Sequence, residues 1–222
     1  MIRIYRIVSL RRFMEEDSSQ HVLVKDMAQV MMGQEDYSFI PKGYKHAFLI
    51  RHPLRVFASY RKAMFGELSA QGLLTGDAAD EKTFDIGHHT AWINPSNPIL
   101  FKDMHNIWKY VRENLDSDPI VIDGDELMSK PAEVLPKFCR AVGIPYDDSL
   151  LKWDASTDAM HKWVVPASGV VDSFVHVYGR AASSTEFYPP QDMPKREDLT
   201  PDVLRCADEM MKYYEEMYAA KI

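Results

Sequence analysis

The chain has 222 residues, 46% of them hydrophobic and 27% charged, enough for one sizeable domain with its own core. A formal net charge of −7 argues against general nucleic-acid binding, and no run approaches the roughly 18 consecutive apolar residues that a membrane span needs. Two cysteines, Cys139 and Cys206, fall on apolar helix faces and read as small core residues, which points to a reducing compartment and a cytoplasmic location.

In chain order, residues 1–20 form an irregular or helical lead-in that is basic at first (Arg3, Arg6, Arg11, Arg12) and has no secretory core. His21–Lys25 reads as a strand, Val22 to Val24 running into the polar pair Lys25-Asp26, with a short helix over Met27–Met32 closed by Gly33. Pro41–Tyr44 leads as a loop into a second apolar run, Ala47–Ile50, of the kind expected for a strand covered on both faces. Pro53 opens a helix that fades near Gly66, and Gly72–Pro98, rich in Gly, Asp, Asn and Thr, reads as a long loop. The spacing of Leu100, Met104, Ile107, Trp108, Val111 and Leu115 predicts a helix over 99–115. A third buried strand, Ile120–Ile122, ends at Asp123. Pro131–Val142 is a helix with Val134, Leu135, Phe138, Cys139 and Val142 inward, a kink at Pro136 and a C-cap at Gly143. Residues 146–199 are irregular and carry Trp153, Trp163, Tyr178 and Tyr188. A last helix begins with Thr200 as N-cap and Pro201 at its first position, and runs to about Tyr218. Strands alternating with helices indicate a single α/β domain over 1–222, with its core at 21–145, an irregular substrate-side segment at 146–199 and a terminal helix at 200–222.

The stretch from His46 to Tyr60 carries the chemistry. An apolar strand ends in Arg51, Pro53 starts a helix, and Ser59 follows eight residues after the arginine. Open α/β sheets bind ligands at the carboxyl edge of their strands. The open N–H groups of a helix start attract anions, and a guanidinium holds phosphate oxygens in pairs. Arg51, with Ser59 and Arg55 as further donors, is therefore a candidate anion grip, the alternative being a buried strand end with an ordinary surface arginine. Lys25, Lys42, Lys45, Arg51, Arg55, Arg61 and Lys62 also crowd the first third of the chain.

Leu49-Ile50-Arg51-His52-Pro53 with Ser59 resembles the 3′-phosphate-binding segment of PAPS-dependent sulfotransferases. Val24-Lys25-Asp26-Met27-Ala28 resembles the strand before that segment. Asp123-Gly124-Asp125-Glu126-Leu127, with Pro131, Cys139 and Gly143-Ile144-Pro145, resembles the family's central strand and helix, and Ser184-Thr185-Glu186-Phe187 an element near its C-terminal end. The resemblance spans roughly Val22 to Phe187. It implies a three-layer, P-loop-like α/β fold with a mostly parallel sheet, PAPS as donor and PAP as product, and a small-molecule or glycan acceptor. It also implies donor binding by Arg51 and Ser59, with Arg55 beside them.

Three departures from the family pattern bear on activity. Residues 1–20 contain no glycine, so the backbone loop that holds the donor's 5′-phosphosulfate in that family is not written there, and the sheet is expected to be incomplete at the N-terminus. An exposed sheet interior would favour self-association. The family's catalytic histidine falls at Met27, which leaves Asp26 as the nearest base, with His21, His46 and His52 as alternatives and Lys25 as a candidate to face sulfuryl or phosphate oxygens. The Arg-Lys-Gly element is represented at most by Gly179-Arg180. The expected function is sulfuryl transfer from PAPS to a hydroxyl or amine, or else PAP/PAPS binding without transfer. The location is cytoplasmic, or the Golgi lumen if an anchor precedes this sequence.

Overall fold

The computed structural model describes residues 24–25, 37–38, 40–91, 100–156, 179 and 181–222. Within them the chain is α/β, with a small parallel sheet and helices packed around it. The two strands are β1, Ala47–Ile50, and β2, Ile120–Asp123, in the register that pairs Ala47 with Ile120 and Ile50 with Asp123. The helices, in chain order, are α1 (Pro53–Ala70), α2 (Ile86–His89), α3 (Leu100–Asn114), α4 (Gly124–Ser129), α5 (Pro131–Val142) and α6 (Pro201–Ala219). None of them is long and apolar enough to cross a membrane.

Both strands begin and end where the apolar runs do. The expected strand at His21–Lys25 and the helix at Met27–Met32 lie outside the described residues, apart from Val24 and Lys25, which carry no regular structure. Of the expected loop Gly72–Pro98, the described part, 72–91, is more ordered than a loop: Gly76–Ala79 forms a 3-10 turn, α2 follows, and Phe84 and Ile86 are in the core. The composition of the segment conceals this, because two buried apolar side chains suffice to anchor it. α5 runs without a break through Pro136, and Gly143 ends it at φ 77°, the left-handed geometry that favours glycine. Both cysteines are free and buried, and burial pushes the Cys206 thiol up to about 11.

Side-chain alternation along β2 divides the core in two. Ile120 and Ile122 face Val134 of α5, with Leu127, Phe138 and the last residue, Ile222, around them. Val121 faces the other way, into the main core of Ile50, Phe57, Trp108, Val203, Cys206, Met210 and Met217. α6 is the centrepiece of this second layer, touching α1, α2, α3 and both strands. β1 is covered less fully than its apolar sequence suggests: Ile50 is buried, but Leu49 is 59% exposed on the face it shares with Ile122.

One charged residue sits in the apolar stripe of α1. Leu54, Phe57, Arg61 and Leu68 are all buried at helical spacing. The Arg61 guanidinium meets Asp202 at 3.2 Å and donates to the carbonyls of Glu81 (2.5 Å) and Phe84 (2.8 Å). The same Asp202 oxygen accepts the Ile86 N–H at 3.0 Å. This pair clamps the 76–91 excursion onto the first turn of α6. That turn is not capped by Thr200, whose side chain makes no capping hydrogen bond; its hydroxyl is buried and unpaired, while Asp202 supplies the negative charge.

Removing one partner of a buried ion pair leaves the other uncompensated, at a cost of about 3–5 kcal/mol. Asp202→Ala is therefore expected to lower stability by about that amount in urea denaturation, and a loss below about 1 kcal/mol would show that the pair is not what holds the segment.

Candidate functional site

The parallel register brings the carboxyl ends of β1 and β2 side by side, so that Arg51, which follows Ile50, lies next to Gly124, which follows Asp123. The approach is close. A Cβ on Gly124 would sit 3.3 Å from the Ile50 carbonyl oxygen and 3.9 Å from the Arg51 Cβ, which gives a physical reason for glycine at this position.

Asp123 organises the turn. Its buried carboxylate accepts the Asp125 and Glu126 N–H groups at 3.0 Å through one oxygen, capping α4. The other oxygen accepts the Tyr214 hydroxyl of α6 at 3.0 Å. Burial first, and then the Asp123 charge, push the Tyr214 phenol far above its ordinary range, so it stays protonated and donating. Three residues on, Glu126 accepts the Tyr218 hydroxyl at 2.7 Å and pairs with Lys221, which fastens the end of α6 to the same turn.

Asp125 faces the start of α1. One of its oxygens accepts from Arg51 Nε at 2.9 Å. The other lies 2.7 Å from Arg55 Nε, an ion pair in which the N–H is not aimed along the contact. Arg55 Nη1 and Nη2 donate to the carbonyls of Asp192 (3.3 Å) and Gln191 (2.5 Å). The Arg51 side chain is 46% exposed, and its two terminal nitrogens hold no hydrogen bond among the described residues. Ser59 is exposed, four residues beyond Arg55 and so on the same helix face. Arg51, Asp125, Arg55 and Ser59 thus follow one another along the sheet edge and up the helix.

The start of α1 does not offer the open N–H groups expected from its sequence. Pro53 has none, Leu54 N–H is taken by His52 Nδ1 at 3.3 Å, and Arg55 and Val56 N–H both go to the His52 carbonyl, at 3.0 and 3.2 Å. Any anion here is held by side chains, and the exposed fork of Arg51 fits a phosphate. His52 itself is structural: its ring caps the helix and packs edge-on against Tyr214, 5.3 Å between centroids. His46 lies beside Asp116, which accepts its backbone N–H at 3.2 Å. Lys25 is exposed, whereas Asp26, His21 and Arg180 lie outside the described residues.

The basic cluster of the first third is dispersed in space. Lys45 pairs with Asp116, Arg51 and Arg55 with Asp125, and Arg61 with Asp202. Sequence reasoning missed Asp125 as a member of the site. The available signal was the pair of parallel strands whose ends must coincide, one closing in Arg51 and the other in Asp123-Gly124-Asp125.

Comparison with known proteins agrees with the second of these segments. Residues 114–221 match the sulfotransferase domain model. The chain is also similar to branched-chain-amino-acid aminotransferase-like protein 2 of Arabidopsis thaliana, 25% identical over 154 residues, which is 68% of this chain. It spans about a fifth of the length of that relative, 20%. No solved structure matches it.

Burial holds the His52 imidazole below its ordinary range, against the opposing pull of Asp125, and burial does the same to His46 against Asp116. For a depressed histidine the unfolded chain binds more protons as the pH falls, so the stability contribution is complete above about pH 6.5 and is lost on acidification below it. His52→Asn keeps a side-chain cap and removes one of the two titrations. Its loss of melting temperature between about pH 7.5 and about pH 5.5 is expected to be smaller than that of the parent chain; equal losses would remove His52 from the account.

Proposed function

We propose that the chain is a sulfotransferase-family protein, a reading supported by the match of residues 114–221 to the sulfotransferase domain model, and that it binds PAPS at the carboxyl edge of β1 and β2, in the service of sulfuryl transfer to a hydroxyl or amine acceptor. The observation that carries this reading is the exposed, two-nitrogen end of Arg51, held at a strand terminus beside a helix that presents Ser59 on its surface. PAPS, when bound, supplies the sulfuryl group. Arg51 binds the donor's 3′-phosphate through its terminal nitrogens, and Ser59 adds a hydroxyl donor. Both are anchors remote from the sulfur, and they act by positioning, which lowers the entropic part of a transfer barrier. Arg55, tied to Asp125 and to the carbonyls of Gln191 and Asp192, stands beside them as a supporting cation.

Lys25 and Asp26 are the proposed groups at the reacting end, Lys25 toward sulfuryl oxygens and Asp26 as the base that takes the acceptor's proton. The sheet described is read as part of a three-layer, P-loop-like architecture. The acceptor is a small molecule or a glycan. A second reading, donor binding without transfer by this stretch of chain, is favoured by the absence of glycine from residues 1–20. An assay of labelled PAPS against a broad acceptor panel distinguishes the two, since turnover removes the second.

Calorimetry with PAP tests the shared premise. A charged hydrogen bond contributes about 1.5–3 kcal/mol, so Arg51→Ala is expected to weaken PAP binding by roughly tenfold to a hundredfold or more. Ser59→Ala is expected to weaken it by about tenfold. Variants that bind PAP as the parent chain does would show that these residues do not hold the donor.

A further inference from the structure

Asp125 meets Arg51 at Nε alone. A carboxylate that neutralised this arginine fully would take two guanidinium nitrogens side by side. Here the second carboxylate oxygen is turned to Arg55 instead. Arg55, only 13% exposed at its side chain, is in turn tied to the backbone carbonyls of Gln191 and Asp192. A continuous chain of contacts therefore runs from the 191–192 segment through Arg55 and Asp125 to the half-exposed Arg51 side chain, whose two terminal nitrogens hold no hydrogen bond among the described residues. Two guanidinium groups thus share the Asp125 carboxylate, with the Asp123 carboxylate behind it in the same turn.

We propose that Asp125 is the positioning residue of the donor site. It grips Arg51 by Nε so that Nη1 and Nη2 are presented as a pair to the 3′-phosphate, and Arg55 holds Asp125 in place for this. The proposal rests on the reading of Arg51 as the donor's phosphate anchor. An arginine has a long, flexible stem, and a free one must be ordered when phosphate arrives. Fastening it at Nε places that cost in folding, which is preorganisation. Asp125 has one other conceivable role, an internal anion that phosphate must displace. Both of its oxygens and, among the described residues, only the inner nitrogen of Arg51 are engaged, which is the geometry of a holder.

The test is PAP binding by calorimetry, with thermal melts alongside, for the parent chain, Asp125→Ala, Asp125→Asn, Arg51→Ala and the double variant Asp125→Ala/Arg51→Ala. Asp125→Ala is expected to weaken PAP about tenfold, the scale of re-ordering one long side chain. Asp125→Asn retains an acceptor for Nε and is expected to recover most of that loss. In the Arg51→Ala background the Asp125→Ala change is expected to cost nothing further, because the residue it positions is gone. A purely structural Asp125 would weaken PAP equally in both backgrounds, and a displaced internal anion would make Asp125→Ala bind PAP more tightly; either result overturns the proposal. Arg51→Ala binding PAP as the parent does overturns the donor reading itself, a distinguishable failure. Should Asp125→Ala fail to fold, Arg55→Gln takes its place, with a several-fold weakening expected only while Arg51 is present, and equal weakening in its absence counting against the proposal.

Discussion

The buried carboxylate of Asp123 is the point on which this structure turns. It ends β2, caps α4 with one oxygen and receives Tyr214 of α6 with the other. A buried carboxylate without partners would be heavily destabilising, so the three groups are obliged to meet there. Their meeting sets the seat of α6 on the sheet and the direction in which the chain leaves β2. Because Gly124 carries no side chain, that departure passes close against the Ile50 carbonyl and brings Asp125 to Arg51. The arrangement of charge at the sheet edge is thus a consequence of how one strand ends.

Local pattern carried much of the fold. The apolar runs at Ala47–Ile50 and Ile120–Ile122, the period of α3, the Pro131 and Pro201 starts and the Gly143 stop are all cases in which a residue's own chemistry decides its conformation. What local pattern could not carry are decisions made by partners far along the chain. Arg61 looks like a surface cation until Asp202, 141 residues later, is placed against it. Thr200 has the side chain of an N-cap, yet the helix start it opens is served by Asp202. Residues 76–91 have a loop's composition and are nonetheless tied into the core at Phe84 and Ile86.

The candidate site divides along the same line. Arg51, Ser59 and the strand-to-helix passage between them could be read directly, because they lie on one short stretch. Asp125 and the carbonyls of Gln191 and Asp192 could not, since they arrive from β2 and from a segment about 135 residues beyond Arg55. The helix start also contributes differently from what its sequence suggests. Pro53 and the His52 ring suggest a helix opening, and they also consume the N–H groups that such an opening would offer. The anion site proposed here is accordingly one made of side chains, whose strength would rest on how firmly one arginine is held.

The most direct test of this account is a crystal structure of the chain grown with PAP. The account predicts the 3′-phosphate within hydrogen-bonding distance of the Arg51 terminal nitrogens and the Ser59 hydroxyl, with Asp125 still on Arg51 Nε. PAP bound away from the carboxyl edge of β1 and β2, or a phosphate that has displaced Asp125 from Arg51, would contradict it.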